Sequence, residues 1–244
     1  LSDFMAWPAI FLLITLLFFT IFALTLLIRE PKIEGLDLLE VNTPKEALYQ
    51  VGAALTQFFR GHRYALLILL FIVAFKLPDA IAGTMINAFY IEMEYTGAQI
   101  GAISKLYGAV ATILGAFVAG LVVAKMKLYR ALIFSAVMIG ITNLSYLYVL
   151  AEPTLLRLVI AISVENFISG FASTPFIFLL GLLCDRNASA TQFALLSGFA
   201  AVGLRLFGGG SGFMVEALGW QNFFITTAFL FIPSLLLLFF IKGS

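Results

Sequence analysis

Cysteine, histidine and charge are all scarce in this chain, and each scarcity removes a class of chemistry. The single cysteine, Cys184, has no partner for an intrachain disulfide and no metal-ligand company, so redox chemistry and structural zinc drop out and the residue reads as packing. The single histidine, His62, has no serine or cysteine nucleophile set beside it. There is no HExxH helix, and no two aspartates share an apolar run, so the residue supply for intramembrane catalysis is missing and no catalytic metal is implied. Only 11% of the residues are charged and the formal net charge is +1, without a Lys/Arg cluster interleaved with exposed aromatics, which excludes a nucleic-acid surface. Nothing in the residues asks for an organic cofactor. The start, Leu1-Ser2-Asp3-Phe4-Met5, lacks the basic opening and small-residue cleavage site of a secretory signal, and the chain reads as cut from something larger.

What the chain has in abundance is apolar length. Its hydrophobic fraction is 62% and its mean hydropathy +1.09. Seven apolar segments, at roughly 5–28, 64–90, 98–123, 129–150, 155–183, 189–215 and 220–241, each approach or exceed the span needed to cross a hydrocarbon core as a helix. A β-barrel would show segments of about ten residues in strict alternation, and none occurs. The expected fold is an all-α polytopic membrane protein with seven transmembrane helices. Alternate connections carry Arg29, Lys32, Lys45, Arg60, Arg63, Lys125, Lys127, Arg130, Arg186 and Lys242 on one side but only Arg157 on the other, so the first side, with the C-terminus, is expected to be cytoplasmic. Asp3, Glu92, Glu94, Glu152 and Glu216 mark the opposite face.

The expected organisation is one helix over 1–28, a cytoplasmic linker over 29–63 and a six-helix bundle over 64–244. Within the linker, Ala47, Leu48, Val51, Leu55, Phe58 and Phe59 recur near helical spacing after Pro44, which predicts an amphipathic helix at the membrane surface ending at Arg60-Gly61-His62-Arg63. It reads as a joint between two halves, and His62 as part of its basic end rather than a proton relay.

Five charges, Lys76, Asp79, Lys105, Glu165 and Arg205, interrupt the apolar runs. A charge at the bilayer centre costs at least about 2.5 kcal/mol, so it persists where it faces a polar cavity or an opposite charge, which points to a transporter or channel. At about 1.5 Å per residue, Lys76 and Asp79 lie roughly 18 to 23 Å from the cytoplasmic end of their span and Glu165 about 15 Å from the outer end of its own. Lys105 falls about 10 Å below the outer surface and Arg205 about 24 Å above the inner one, so all five belong to the central or outer layer. Lys76 and Asp79 can share a helix face and form a local ion pair, with Pro78 between them favouring a kink. Glu165, with Asn166 beside it and Ser169, Gly170 and Pro175 beyond, predicts a polar, bent face. Glu165 or Asp79 is expected to couple protons, because a carboxylate moved between an apolar setting and one beside a cation changes its proton affinity. The surplus of cations suits a substrate bearing carboxylates, which Arg205 could grip bidentately. Tyr90, Tyr107, Phe167 and Phe171 could stack on sugar rings, although aromatics here are more often packing. Gly208-Gly209-Gly210-Ser211-Gly212 lacks the ending of a phosphate loop and reads as close helix packing or a break near the end of the sixth span.

One helix, a long cytoplasmic connection and six closely joined helices match the sixth helix and second half of a transporter built of two six-helix halves. Several stretches then carry a specific resemblance: Lys76-Leu77-Pro78-Asp79-Ala80-Ile81-Ala82-Gly83-Thr84; Leu128-Tyr129-Arg130-Ala131-Leu132; Val164-Glu165-Asn166 with Gly170; Ala190-Thr191-Gln192-Phe193-Ala194-Leu195-Leu196-Ser197; and Val215-Glu216-Ala217-Leu218-Gly219-Trp220. In this order they resemble the C-terminal half of AmpG-type muropeptide permeases of the major facilitator superfamily. The resemblance implies a bacterial inner-membrane importer of anhydro-muropeptides, amino-sugar disaccharides with a short peptide, driven by protons and completed by an N-terminal six-helix half. The depth and charge of the residues themselves make Asp79 and Glu165 the candidates for proton coupling, and Lys76, Lys105, Arg205, Asn166 and Tyr107 the candidates for substrate binding. Gly120, Lys125, Lys127 and Arg130 resemble the superfamily's gating loop, but Ala124 replaces an acid and Lys127 a glycine.

Other readings share parts of this pattern. A seven-helix receptor or retinal protein would not carry so long a first cytoplasmic connection, and the last span has no lysine for a Schiff base. A carrier of another anionic solute, such as acetyl-coenzyme A, would show much the same interior, and a truncated remnant would keep the fold without transport.

Overall fold

The computed structural model describes residues 7–27, 43–185 and 188–242. Arg29, Lys32, Arg186 and the first part of the linker lie outside them. The chain divides into two units, Leu1–Glu40 and Val41–Ser244. The first contains α1 (Trp7–Leu27), apolar around its whole circumference, with every side chain from residue 11 to 27 exposed. Such a helix has no stripe to bury against one partner, which suits a lipid span. The hydroxyls of Thr15, Thr20 and Thr25 each donate to the carbonyl four residues earlier at 2.8 Å, leaving no free hydroxyl on that surface.

The second unit opens with α2 (Pro44–Gly61). Thr43 and Glu46 close a reciprocal capping box and Pro44 occupies the first turn. Its buried side is narrower than its apolar pattern suggested: Ala54 and Phe58 pack on the bundle, while Leu48, Val51 and Phe59 stay exposed. His62 ends this helix, its backbone N–H donating to the Phe58 carbonyl, and its ring lies 4.7 Å from the Phe58 ring.

The bundle consists of α3 (Ala65–Glu92), α4 (Gly97–Ile103) running through a π-helical turn at Ser104–Gly108 into α5 (Ala109–Lys125), α6 (Leu128–Ala151), α7 (Leu155–Leu182), α8 (Ser189–Gly208), α9 (Ser211–Phe229) and α10 (Ile232–Lys242). Joined runs make six spans long and apolar enough to cross a membrane among the described residues, with α1 a further apolar helix. The chain is an all-α polytopic membrane protein. Helix α7 packs against α5 and α6; α3 packs against α8, α9 and α10; and α6 meets α9.

Inside the run expected to form the sixth span, α8 stops at Gly208 and α9 starts at Ser211, while the non-helical backbone of Gly219 interrupts α9 next to the expected start of the last span at 220. The glycine run makes the first break. A side chain at Gly208 would meet the Ala80 carbonyl at 2.9 Å, so the helices touch there, and Gly209 and Gly210 form the break. Thr84 fastens this corner by donating to Ser211 Oγ at 2.9 Å, while Ser211 donates to the Gly208 carbonyl at 2.7 Å. Further on, α9 kinks at Gly219, whose φ of 70° and ψ of 165° belong to a region nearly closed to other residues. Gly219→Ala is expected to cost about 1 to 3 kcal/mol, read as a lower unfolding temperature in detergent.

The bundle core comes in two clusters. One contains Phe71, Ile72, Phe75, Ile139, Ile168, Ala172 and Phe176; the other contains Ile81, Phe89, Tyr90, Tyr146, Ile162, Phe223 and Phe224. On α3, α6 and α7 alike, polar or charged residues fall between these clusters: Lys76 and Asp79, Thr142 and Asn143, and Glu165 and Asn166.

Candidate functional site

The layer between the clusters is a cavity of about 230 Å³ lined by residues of four helices. Helix α3 contributes Lys76, Asp79, Gly83 and Ile86; α6 contributes Ile139 and Thr142; α7 contributes Glu165, Ile168 and Ser169; α8 contributes Leu204. Residues 76, 79, 83 and 86 recur every three or four positions, so one face of α3 lines the space. Ile139 and Thr142 do the same on α6, and Glu165, Ile168 and Ser169 on α7. Pro78 and Pro175 remove the backbone donors that would reach the carbonyls of Ala74 and Phe171, and so loosen two lining helices near cavity depth.

Lys76 and Asp79 share the cavity without closing an ion pair. The Lys76 ammonium sits 5.2 Å over the Phe176 ring, which itself stacks on Phe75 at 5.1 Å and an interplanar angle of 5°. A cation held by a ring face keeps its charge near Asp79 while leaving the carboxylate unclamped. Glu165 is close enough to Asp79 for their charges to interact and faces the Tyr146 hydroxyl across the α6–α7 contact. The site thus brings together one cation and two carboxylates. The salt bridge found among the described residues lies elsewhere, between Arg157 and Glu152 at 2.6 Å in the α6–α7 connection.

The remaining sequence candidates fall outside the cavity. Lys105 and Tyr107 ride on the π-helical turn and are exposed, as is Arg205 on α8. Asn166 faces α5: it donates to the Ile162 carbonyl at 2.8 Å and accepts from Thr112 at 3.3 Å, with Gly108 packed directly on its amide. Gly120, Lys125, Lys127 and Arg130 are exposed around the α5–α6 connection. Cys184 packs as expected, its thiol donating to the Leu180 carbonyl at 3.1 Å, and burial pushes that thiol above its ordinary range.

Helix α6 has no charge between Arg130 and Glu152, so the cost of a buried charge does not mark it. Thr142, Asn143 and Tyr146 are all buried there beside the site. Their spacing of one, three and four residues on an apolar helix is the signal that could have found them.

With this geometry in view, comparison with curated proteins is informative. The AmpG 4 protein of Rickettsia felis is 33% identical over 239 residues, 97% of this chain and 57% of its own length. The anhydromuropeptide permease of Escherichia coli K12 is 35% identical over 236 residues, 96% of this chain and 47% of its own. The chain belongs to the AmpG-type permease family. AmpG 1 of Rickettsia prowazekii, 35% identical over 207 residues, agrees. The chain spans about half the length of the curated relatives it matches, corresponding to their C-terminal part. No family model matches it.

Proposed function

We propose that this chain forms the C-terminal part of a proton-coupled secondary transporter that imports anhydro-muropeptides across the bacterial inner membrane by alternating access. The observation that carries this reading is the cavity itself: Lys76, Asp79 and Glu165 gathered at mid-span between two apolar clusters, in a chain related to proteins named as permeases. Buried ionisable groups at such depth are costly unless they serve passage of ions or solute. Glu165 is assigned as the coupling carboxylate, with Asp79 as its interacting partner and Lys76 as the fixed cation that makes their environment switchable. A positive group at this depth suits the carboxylates of a peptide-bearing sugar. Lys105, Tyr107, Asn166 and Arg205 are proposed as further substrate contacts, reached when an N-terminal six-helix bundle completes the passage. The basic loops and the C-terminus then face the cytoplasm, as the Lys/Arg distribution favours.

The test is uptake of a radiolabelled anhydro-muropeptide into proteoliposomes holding the transporter expressed from its own gene. An acidic outside is expected to drive accumulation, and excess unlabelled muropeptide to compete where acetyl-coenzyme A does not. Uptake indifferent to the pH gradient, or competed equally by acetyl-coenzyme A, would overturn the proposal. Arg205→Ala is expected to raise the substrate KM by about tenfold or more with little change in maximal rate, because a bidentate carboxylate contact acts on binding.

A further inference from the structure

The cavity accounts for Glu165 and Asp79 but not for the hydroxyls ranked above them. Tyr146 is 0% exposed and Tyr90 2%, yet neither hydroxyl closes a hydrogen bond among the described residues. Both rings pack in an aromatic cluster with Phe89, and Tyr146 also stacks on Phe224 at 4.7 Å. For that packing alone phenylalanine would serve, and would avoid burying two unpaired polar atoms. The hydroxyls also fall in order. The Tyr146 hydroxyl lies within interaction range of both Glu165 and Tyr90. The Tyr90 ring centroid is 6.3 Å from that of Tyr146 and 6.3 Å from that of Tyr95. Tyr95, in the α3–α4 connection, donates to the Thr154 carbonyl at 2.9 Å in the α6–α7 connection. At about 1.5 Å per residue, Glu165, Tyr146 and Tyr90 lie roughly 15, 8 and 3 Å from that end of their helices. The unpaired amide of Asn143 sits one turn deeper than Tyr146 on α6.

From this placement we propose that Tyr146 and Tyr90 form a proton relay joining Glu165 to the bundle end that carries Glu92, Glu94 and Glu152. A proton arriving at the Tyr90 oxygen releases the proton already there to Tyr146, and Tyr146 passes its own to a Glu165 carboxylate oxygen; both hydroxyls then rotate back. Each O–H bond broken is matched by one formed, and no electrons are transferred. The charged groups around the file are Asp79 with Lys76 at its cavity end and Arg157 beside Tyr95 at its outer end. Neither tyrosine lines the cavity, so the coupling carboxylate exchanges its proton by a route separate from the solute. Substrate in the cavity then does not block protonation.

The relay rests on the assignment of Glu165 as the coupling carboxylate, and the experiment separates the two. The transporter expressed from its own gene is reconstituted, and each variant is measured for uptake driven by a pH gradient and for equilibrium exchange of anhydro-muropeptide, which needs no net proton movement. Tyr146→Phe and Tyr90→Phe are expected to unfold at or above the parent temperature, to exchange within about twofold of the parent, and to lose about tenfold or more of driven uptake. Driven uptake at the parent rate in both variants overturns the relay, as does a parallel loss of exchange and uptake. If Glu165→Gln itself keeps full driven uptake, the coupling assignment fails and the relay with it; if Glu165→Gln loses uptake while both tyrosine variants keep it, the relay alone fails.

Discussion

Glu165→Gln should leave substrate exchange largely intact and reduce gradient-driven uptake by about a hundredfold or more, since a positioned proton-transfer group contributes on that scale. The amide keeps the shape of the carboxyl but holds no exchangeable charge, so the cavity wall is preserved and only coupling is lost. Asp79→Asn is expected to behave differently, losing exchange as well. Lys76 lies on the same cavity and has Asp79 as its adjacent counter-charge, with its ammonium otherwise resting on the Phe176 ring. Neutralising Asp79 leaves that cation uncompensated at mid-span, and the charge balance governing both substrate entry and conformational change is altered. Paired flux measurements on the two variants decide it: identical phenotypes would mean the carboxylates act as one shared site, whereas normal coupled uptake in Glu165→Gln would remove the assignment.

The second large effect is on folding. A Cβ placed on Gly115 would lie 2.0 Å from the Phe167 carbonyl oxygen, and one on Gly170 would lie 2.2 Å from that of Thr112. Both obstacles are backbone, so no rotamer change relieves them. Helices α5 and α7 therefore approach through reciprocal glycine notches, and Thr174 strengthens the contact by donating to the Ala116 carbonyl at 3.4 Å. Gly115→Val and Gly170→Val are each expected to cost more than about 3 kcal/mol, beyond the usual range for overpacking because the helix axes must separate. The readout is loss of folded protein in membranes and a collapsed unfolding temperature in detergent. Gly120→Ala, with open space around the same helix, is the control and should be nearly neutral.

Much of this architecture was legible because apolar length and helix rise are one-dimensional quantities. The spans at 64–90, 98–123, 129–150 and 155–183 fall within a few residues of α3, α4–α5, α6 and α7. The mid-span depth of Lys76, Asp79 and Glu165 follows from counting residues, and their shared cavity agrees with it. Depth does not give azimuth, however. Lys105 and Arg205 sit at comparable depths but face away from the cavity, because which way a residue points is set by the neighbours its helix packs on. The α8–α9 break was legible from the glycines and not from hydropathy, which does not fall where a helix breaks inside an apolar run; the contact of Gly208 with Ala80 shows how closely the helices meet there. Thr142, Asn143 and Tyr146 on α6 carry no charge, so the insertion cost that marks Lys76, Asp79 and Glu165 does not single them out in the sequence.

The π-helical turn at Ser104–Gly108 accommodates one residue more than ordinary α-geometry would allow. Drawing that surplus residue back into the regular ladder would swivel Gly97–Ile103 by roughly 100° against α5 and sweep the Lys105 ammonium around the cylinder with it. The register of the backbone hydrogen bonds in this turn therefore fixes the direction in which the Lys105 side chain leaves the helix.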